Sequence, residues 1–463
     1  MPSFTSRLPT NPNPSSLPKY YGDASTLLSL DKYNRRHAFR PSWISDDEPD
    51  HTVSYACVGA EKEDELETVV WINGLGGNRF AAGQLFVTLM SDRLVGNLPS
   101  PLLHRVHVRT YCALQHGLFT MYRLRLIHID RPGAGHSTPV PLSHRVEWST
   151  EALLSILSHE GTTPHLSLIS HSNGLIYTLH LLSHLPRTYT LRHWFISSPF
   201  VIPFLSGSWS LGLASYLPAP VTGSLGTLAL TFSTSLGWYH SARGVSSGGL
   251  GGLSKWWGGV PLTSTTVAAE AEDPTLSTEE ESTQVTKKSR RHYELFVRKQ
   301  NDLYASADDA RQNEHRKTFE GYFFGPDLFN EVMKRAGKEG LGYMGDEALI
   351  SLRKGEEARW GWPKEGEEGQ DGSVYLRGFR EWKEGWKKEG RALPRIKVGY
   401  GSEDGMIPKR GRDHLKSVLV DQLGLVKRKD WREIGGAGHD DTLGVTTLTE
   451  PWCQSVVASA EGN

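Results

Sequence analysis

Apolar residues in this chain come in short runs that end on glycine, proline or charged residues. Alternation from His51 to Val58 (HTVSYACV) predicts a strand with one half-exposed face, whereas the near-continuous run from Thr68 to Gly74 (TVVWING) predicts one buried on both sides. Leu124 to Asp130, the start of the stretch HLSLISHSNGLIYTLHLLSHLP (His165 to Pro186), Arg192 to Pro199 and Arg395 to Gly401 read as further strands. Helical periodicity follows two of them, as RFAAGQLFVTLMSDRL after the first glycine-rich loop and as the residues beyond Gly174 after the serine-rich one. Strands alternating with helices predict an α/β architecture, a mostly parallel sheet covered on both faces.

Between Phe200 and Pro394 the alternation lapses. From His193 to Ala242 there is no Asp, Glu, Lys or Arg, but Gly, Ser, Pro203, Pro218 and Pro220 interrupt the run. No segment reaches the roughly 20 consecutive apolar residues of a spanning helix, so no transmembrane segment is expected. Residues 246–288 are rich in Gly, Ser, Thr and Glu and predict a flexible linker, with the basic run from Lys287 to Arg291 as its solvated end. Beyond it, PDLFNEVMKRAG and GDEALISLRKG carry helical periodicity, and Trp360, Trp362, Trp382 and Trp386 mark a return to the sheet. The expected layout is a disordered leader (1–22), a first part of the core (23–199) with an atypical insertion near 95–123, a cap or lid insertion (200–393), and a second part of the core (394–463).

Composition narrows the function classes. A chain of 463 residues with 38% hydrophobic and 22% charged residues has room for a large core. Its 51 basic and 52 acidic residues nearly cancel, so no net field recruits nucleic acid. Cys57, Cys112 and Cys453 are scattered and odd in number, which argues for a reducing compartment rather than a disulfide framework. The Pro/Ser/Asn-rich start has no apolar stretch of the secretory kind, and a cytoplasmic location is expected.

The chemistry gathers at strand ends. In Ser170-His171-Ser172-Asn173-Gly174 a strand turns directly into a helix around Ser172, with small residues two before and two after it, the arrangement that holds a serine hydroxyl out at the edge of a sheet. A serine that only caps the helix would give part of the same pattern. A nucleophilic hydroxyl needs a base oriented by a carboxylate. Asp404 in GYGSEDGMIP follows the last clear strand, Glu403 is its nearest substitute, and His439 lies in the glycine-rich IGGAGHDD. In WINGLGG, glycines 74, 76 and 77 let backbone approach a ligand, so that the Leu75 and Asn173 N–H groups could stabilise negative charge on a carbonyl oxygen. Phe200, Phe204 and Trp209, in the uncharged run, are candidates to line an apolar acyl site. Neither a Cys/His cluster nor a nucleotide-binding glycine pattern is present, so no metal and no cofactor is expected.

With N-G-L-G-G, D-R-P-G-A-G-H-S, S-H-S-N-G, G-S-E-D-G-M-I-P and G-A-G-H in this order, the chain resembles the α/β-hydrolase superfamily, in particular lidded serine hydrolases of fungal type. Asn73 stands where the family has histidine, and Ser170 where it has glycine. The resemblance implies an α/β-hydrolase fold with an inserted cap. It also implies Ser172 as nucleophile, His439 as base, Asp404 as orienting acid, and Leu75 and Asn173 as backbone donors of an oxyanion hole. His171 is not the base in the family. The function it implies is hydrolysis of an ester or related acyl bond in a small molecule. Peptidase, thioesterase and acyltransferase chemistry with the same triad, and a ligand-binding protein that has lost catalysis, are the alternatives.

Overall fold

The computed structural model describes Ser25 and residues 28–75, 122–224, 334–335, 338–339, 342–354, 374–402, 404–434, 439, 442 and 446–461. The leader, the helix expected after Gly77, the atypical insertion as far as residue 121, the linker at 246–288, Trp360 and Trp362 lie outside these residues.

Among the described residues, eight strands form one sheet: β1 (Arg35–Phe39), β2 (His51–Gly59), β3 (Glu67–Ile72), β4 (Leu124–Ile129), β5 (His165–His171), β6 (Thr190–Ser197), β7 (Arg395–Gly401) and β8 (Trp431–Ile434), in the order β1-β2-β4-β3-β5-β6-β7-β8. β2 runs antiparallel to both its neighbours, and the other pairings are parallel. Parallel strands need crossover helices, which cover both faces. Successive residues of β6 show this directly. The Trp194 ring lies 5.7 Å from Trp382 of the helix α7 (Val374–Lys388), whereas that of Phe195 lies 6.2 Å from Trp452 of α8 (Thr446–Glu461). Because side chains alternate along a strand, these two helices sit on opposite faces.

Two further helices position the site. α1 (Arg145–His159) and α2 (Gly174–His184) pack against each other, and α7 packs on α2. α7 buries Tyr375, Phe379, Trp382 and Trp386 along one stripe, and Trp386 Nε1 donates to Leu182 O at 2.9 Å. It is the helix that leads into β7, and Trp382 and Trp386, the described part of the Trp-rich segment, are buried on it.

β2 departs from the half-exposed strand that its alternation predicts: from Val53 to Gly59 every residue is buried. Its polar position faces a loop instead of water. The Ser54 hydroxyl donates to Asp130 Oδ2 at 2.6 Å, and the Ser54 N–H donates to Ser137 Oγ at 3.0 Å. A fully satisfied polar residue can be buried at little cost.

Between β6 and α7, where the sequence predicts an insertion, α3 (Pro203–Ser206), α4 (Trp209–Tyr216), α5 (Ala219–Gly223) and α6 (Tyr343–Leu352) are described. α5 and α6 touch so closely that a Cβ on Gly345 would meet the Gly223 carbonyl oxygen at 1.6 Å. The Lys354 ammonium donates to Ala214 O (2.7 Å), Leu217 O and Thr222 Oγ1 (2.9 Å), tying the end of α6 to the start of the insertion. Among the described residues, no helix is long and apolar enough to cross a membrane.

Two histidines in the sheet make stability depend on pH. Burial lowers His128 from 6.5 to about 4, and burial together with Arg395, Lys397 and Arg192 does the same to His193. Below pH 6.5 the unfolded chain takes up protons that these folded side chains refuse, so stability is full above that pH and is lost as pH falls toward about 4. The loss for fully buried His128 is on the order of 3 kcal/mol. Urea denaturation across this window should show a shallower acid slope in His128→Phe, which retains a ring to stack on Trp71; an unchanged slope contradicts this assignment.

Candidate active site

β5 ends in a forced turn. Ser172 has φ 51°, the left-handed region that costs a residue with a Cβ roughly 1 kcal/mol or more. The conformation is held by backbone bonds: the Ser172 N–H donates to Ser197 O at 3.1 Å, and its carbonyl accepts from Phe200 N at 3.0 Å and Leu175 N at 3.2 Å. Gly174 is what lets α2 start here, since a Cβ on it would lie 2.2 Å from Ile72 O and 2.7 Å from Asn73 O. Ser170 replaces the small residue on the other side without strain, because its hydroxyl accepts from Trp194 Nε1 at 2.9 Å. Backbone cannot move aside as a side chain can, so Gly174→Ala should push α2 off β3 and cost about 3 kcal/mol. Thermal denaturation reads this, and an unchanged melting temperature would exclude so close a contact.

Asp404 follows β7 in a turn that holds its carboxylate. Oδ1 accepts from Met406 N at 3.0 Å and Ile407 N at 2.8 Å, which leaves Oδ2 facing His439 Nδ1 at 2.8 Å. The other ring nitrogen, Nε2, lies 2.9 Å from Ser172 Oγ. The three residues that the sequence singles out from separate strand ends therefore meet in one hydrogen-bonded chain, and each is buried. Glu403 and glycines 435, 436 and 438 lie outside the described residues.

His171 lies beside this chain, and its described hydrogen-bond partner is a different hydroxyl. Its Nδ1 lies 3.1 Å from Ser197 Oγ, and its ring centre is 5.2 Å from that of His439. Behind His439, the Thr442 hydroxyl lies 2.6 Å from Ser197 Oγ and 3.1 Å from Ser198 Oγ. Nothing in the sequence distinguishes these hydroxyls from the chain's other Ser and Thr residues.

The loop after β3 lies against the serine. A Cβ on Gly74 would stand 2.8 Å from Ser172 Cβ and 3.4 Å from Ser172 Oγ, so only glycine allows this approach. Asn73 shapes the turn by accepting the Gly74 N–H on its own Oδ1 at 2.7 Å. Leu75, half-buried, is the next residue of this loop, and buried Asn173 begins the turn into α2. Of the candidate lining residues, Phe200 is buried beside the elbow, and Phe204 on α3 is 69% exposed. Trp209 opens α4, and its side chain lies outside the described residues.

No family model and no curated protein matches the sequence. Among solved structures, the chain is similar to one described with the carboxylesterases of Nitrososphaera gargenis, at 12% identity over 90% of this chain and 98% of that one, with a TM-score of 0.42. It is also similar to an epoxide hydrolase from Vigna radiata (11% identity, 94% and 99% covered, TM-score 0.41) and a thermophilic esterase from Thermogutta terrifontis (12%, 91% and 99%, TM-score 0.37). Identities and scores this low transfer neither residue roles nor activity.

Proposed function

We propose that this chain, which has the α/β-hydrolase fold, is a serine hydrolase that cleaves an ester or related acyl bond of a small molecule through an acyl-enzyme. The observation that carries this reading is the continuous relay from Asp404 Oδ2 through His439 to Ser172 Oγ. A serine hydroxyl is a weak nucleophile until a base removes its proton. With Nδ1–H donated to Asp404, His439 presents Nε2 as an acceptor, the tautomer that this step needs.

Ser172 Oγ attacks the acyl carbonyl while its proton passes to His439 Nε2. The carbonyl oxygen becomes negative, and the Leu75 and Asn173 N–H groups stabilise it. Collapse of the tetrahedral intermediate breaks the bond to the leaving alcohol, which takes the proton from His439. Water, deprotonated by the same nitrogen, then attacks the acyl-enzyme, and Ser172 regains its proton as the acid departs. Epoxide opening or dehalogenation on this fold needs a carboxylate nucleophile where Ser172 stands, which disfavours both.

For the acyl group we favour an apolar chain, with Phe200, Phe204 and Trp209 as lining residues in a cap formed by the insertion; a cytoplasmic location belongs to the same proposal. Each methylene removed from water contributes about 0.8 kcal/mol, roughly fourfold in affinity. Across p-nitrophenyl esters of increasing length, kcat/KM should rise through medium chains. A steady fall beyond acetate contradicts the apolar acyl site, and no hydrolysis of any ester contradicts the reaction class.

A further inference from the structure

Glu347 belongs to α6, within the insertion, yet its side chain is fully buried against the core. Its carboxylate accepts from two guanidinium groups and a phenol. Arg131 Nη1 donates to Oε2; Arg145 donates to Oε1 through Nε (3.2 Å) and Nη2 (3.1 Å); and the Tyr177 hydroxyl lies 2.8 and 2.9 Å from the two oxygens. Burial pushes the Glu347 carboxyl up, but Arg131 and Arg145 outweigh it and hold it below its ordinary value.

A buried ion cluster is weak evidence for stability, because desolvation consumes most of what the charges return. What sets this one apart is where Arg131 leads. Its Nη2 donates to Asn73 O, the carbonyl just before Gly74, and its Nη1 also donates to Asn173 Oδ1 at 3.1 Å. Its guanidinium stacks 4.1 Å over the Tyr177 ring, and Asn73, Arg131 and Tyr177 border one small cavity. A second path links α6 to the same place: Asn173 Nδ2 donates to Ser351 Oγ at 2.9 Å, and that hydroxyl donates to Glu347 O at 2.8 Å. The insertion thus grips both stretches that carry the backbone donors, one beside Leu75 and the other at Asn173.

We infer that Glu347 is a positioning residue of the oxyanion hole. Acting through Arg131, and with Ser351 on Asn173, it sets the separation of the two backbone donors, so that the hole has working geometry only when α6 is docked. This rests on the hydrolase reading above. Donors act fully only when held within a few tenths of an ångström, and loss of one costs on the order of 100-fold or more in kcat. A misplaced hole weakens transition-state binding while leaving substrate binding nearly intact.

The test titrates active serines with a fluorophosphonate, then measures kcat and KM per titrated site and inhibition by a trifluoromethyl ketone, whose adduct with a serine carries an oxyanion. In Glu347→Gln, kcat per active serine should fall about 30-fold, KM should move less than about twofold, and ketone inhibition should weaken by the same factor as kcat. A kcat per active serine equal to that of the unaltered chain, with only the active fraction or melting temperature reduced, makes Glu347 a structural residue and overturns the inference. Should Glu347→Gln fail to fold, Ser351→Ala decides, because it removes a neutral hydroxyl, with its bonds to Asn173 and to Glu347 O, and leaves the ion cluster in place. It should lower kcat and weaken ketone inhibition together, about fivefold for a single such bond, and unchanged values for both overturn the inference. If the unaltered chain takes no fluorophosphonate, it is the hydrolase reading that fails, and the positioning role falls with it.

Discussion

Ser172→Ala and His439→Ala should each leave a folded chain whose hydrolysis of a short p-nitrophenyl ester falls about 1000-fold or more, because members of such a relay act as a unit. Folding survives because the elbow is held by backbone. The bonds of the Ser172 N–H and carbonyl to Ser197, Phe200 and Leu175 do not involve its hydroxyl. Alanine at φ 51° bears the same strain as serine, so stability should change little while the nucleophile is lost. For His439, the variant leaves Ser172 Oγ without the nitrogen 2.9 Å away that would take its proton. Most activity kept in His439→Ala, with loss in His171→Ala, would move the base to the histidine beside Ser197.

Asp404→Asn should reduce turnover about 1000- to 10000-fold at neutral pH, for a reason specific to this turn. The oxygen that accepts from the Met406 and Ile407 N–H groups cannot be replaced by an amide NH2, so the asparagine must keep its oxygen there. Its NH2 then faces His439 Nδ1, which becomes an acceptor, and the ring proton moves to Nε2. That is the nitrogen required to accept from Ser172. Fluorophosphonate labelling should be slow rather than absent, since the hydroxyl and the hole remain. Full activity in Asp404→Asn, with loss in Glu403→Gln, would shift the acid by one residue.

The strands that carry the relay were legible because their composition follows from burial on both faces: β3, β4, β5, β6 and β7 read as apolar runs that stop where chemistry begins. β1 and β8 gave no such signal. Arg35–Phe39 (RRHAF) is an outer strand with charged, half-exposed positions, and Trp431–Ile434 is too short to show a period. α1 is marked by no capping side chain and begins with Arg145, a residue that reads as surface but is buried against Glu347. Ser172 and Asp404 could be proposed from sequence because each stands just past a legible strand, and His439 because it follows them in a glycine-rich loop, in an order that suits one reaction. Glu347 could not. It looks like an ordinary acidic residue on an amphipathic helix, and its partner Arg131 lies 216 residues away, so only the folded chain shows that the insertion touches the elbow.

The most direct measurement is intact-mass analysis of the full-length chain after treatment with a fluorophosphonate, followed by peptide mapping of the adduct. The account predicts a single adduct per chain on the peptide containing Ser172, absent from Ser172→Ala. No adduct on the unaltered chain, or the same stoichiometry retained in Ser172→Ala, would contradict it.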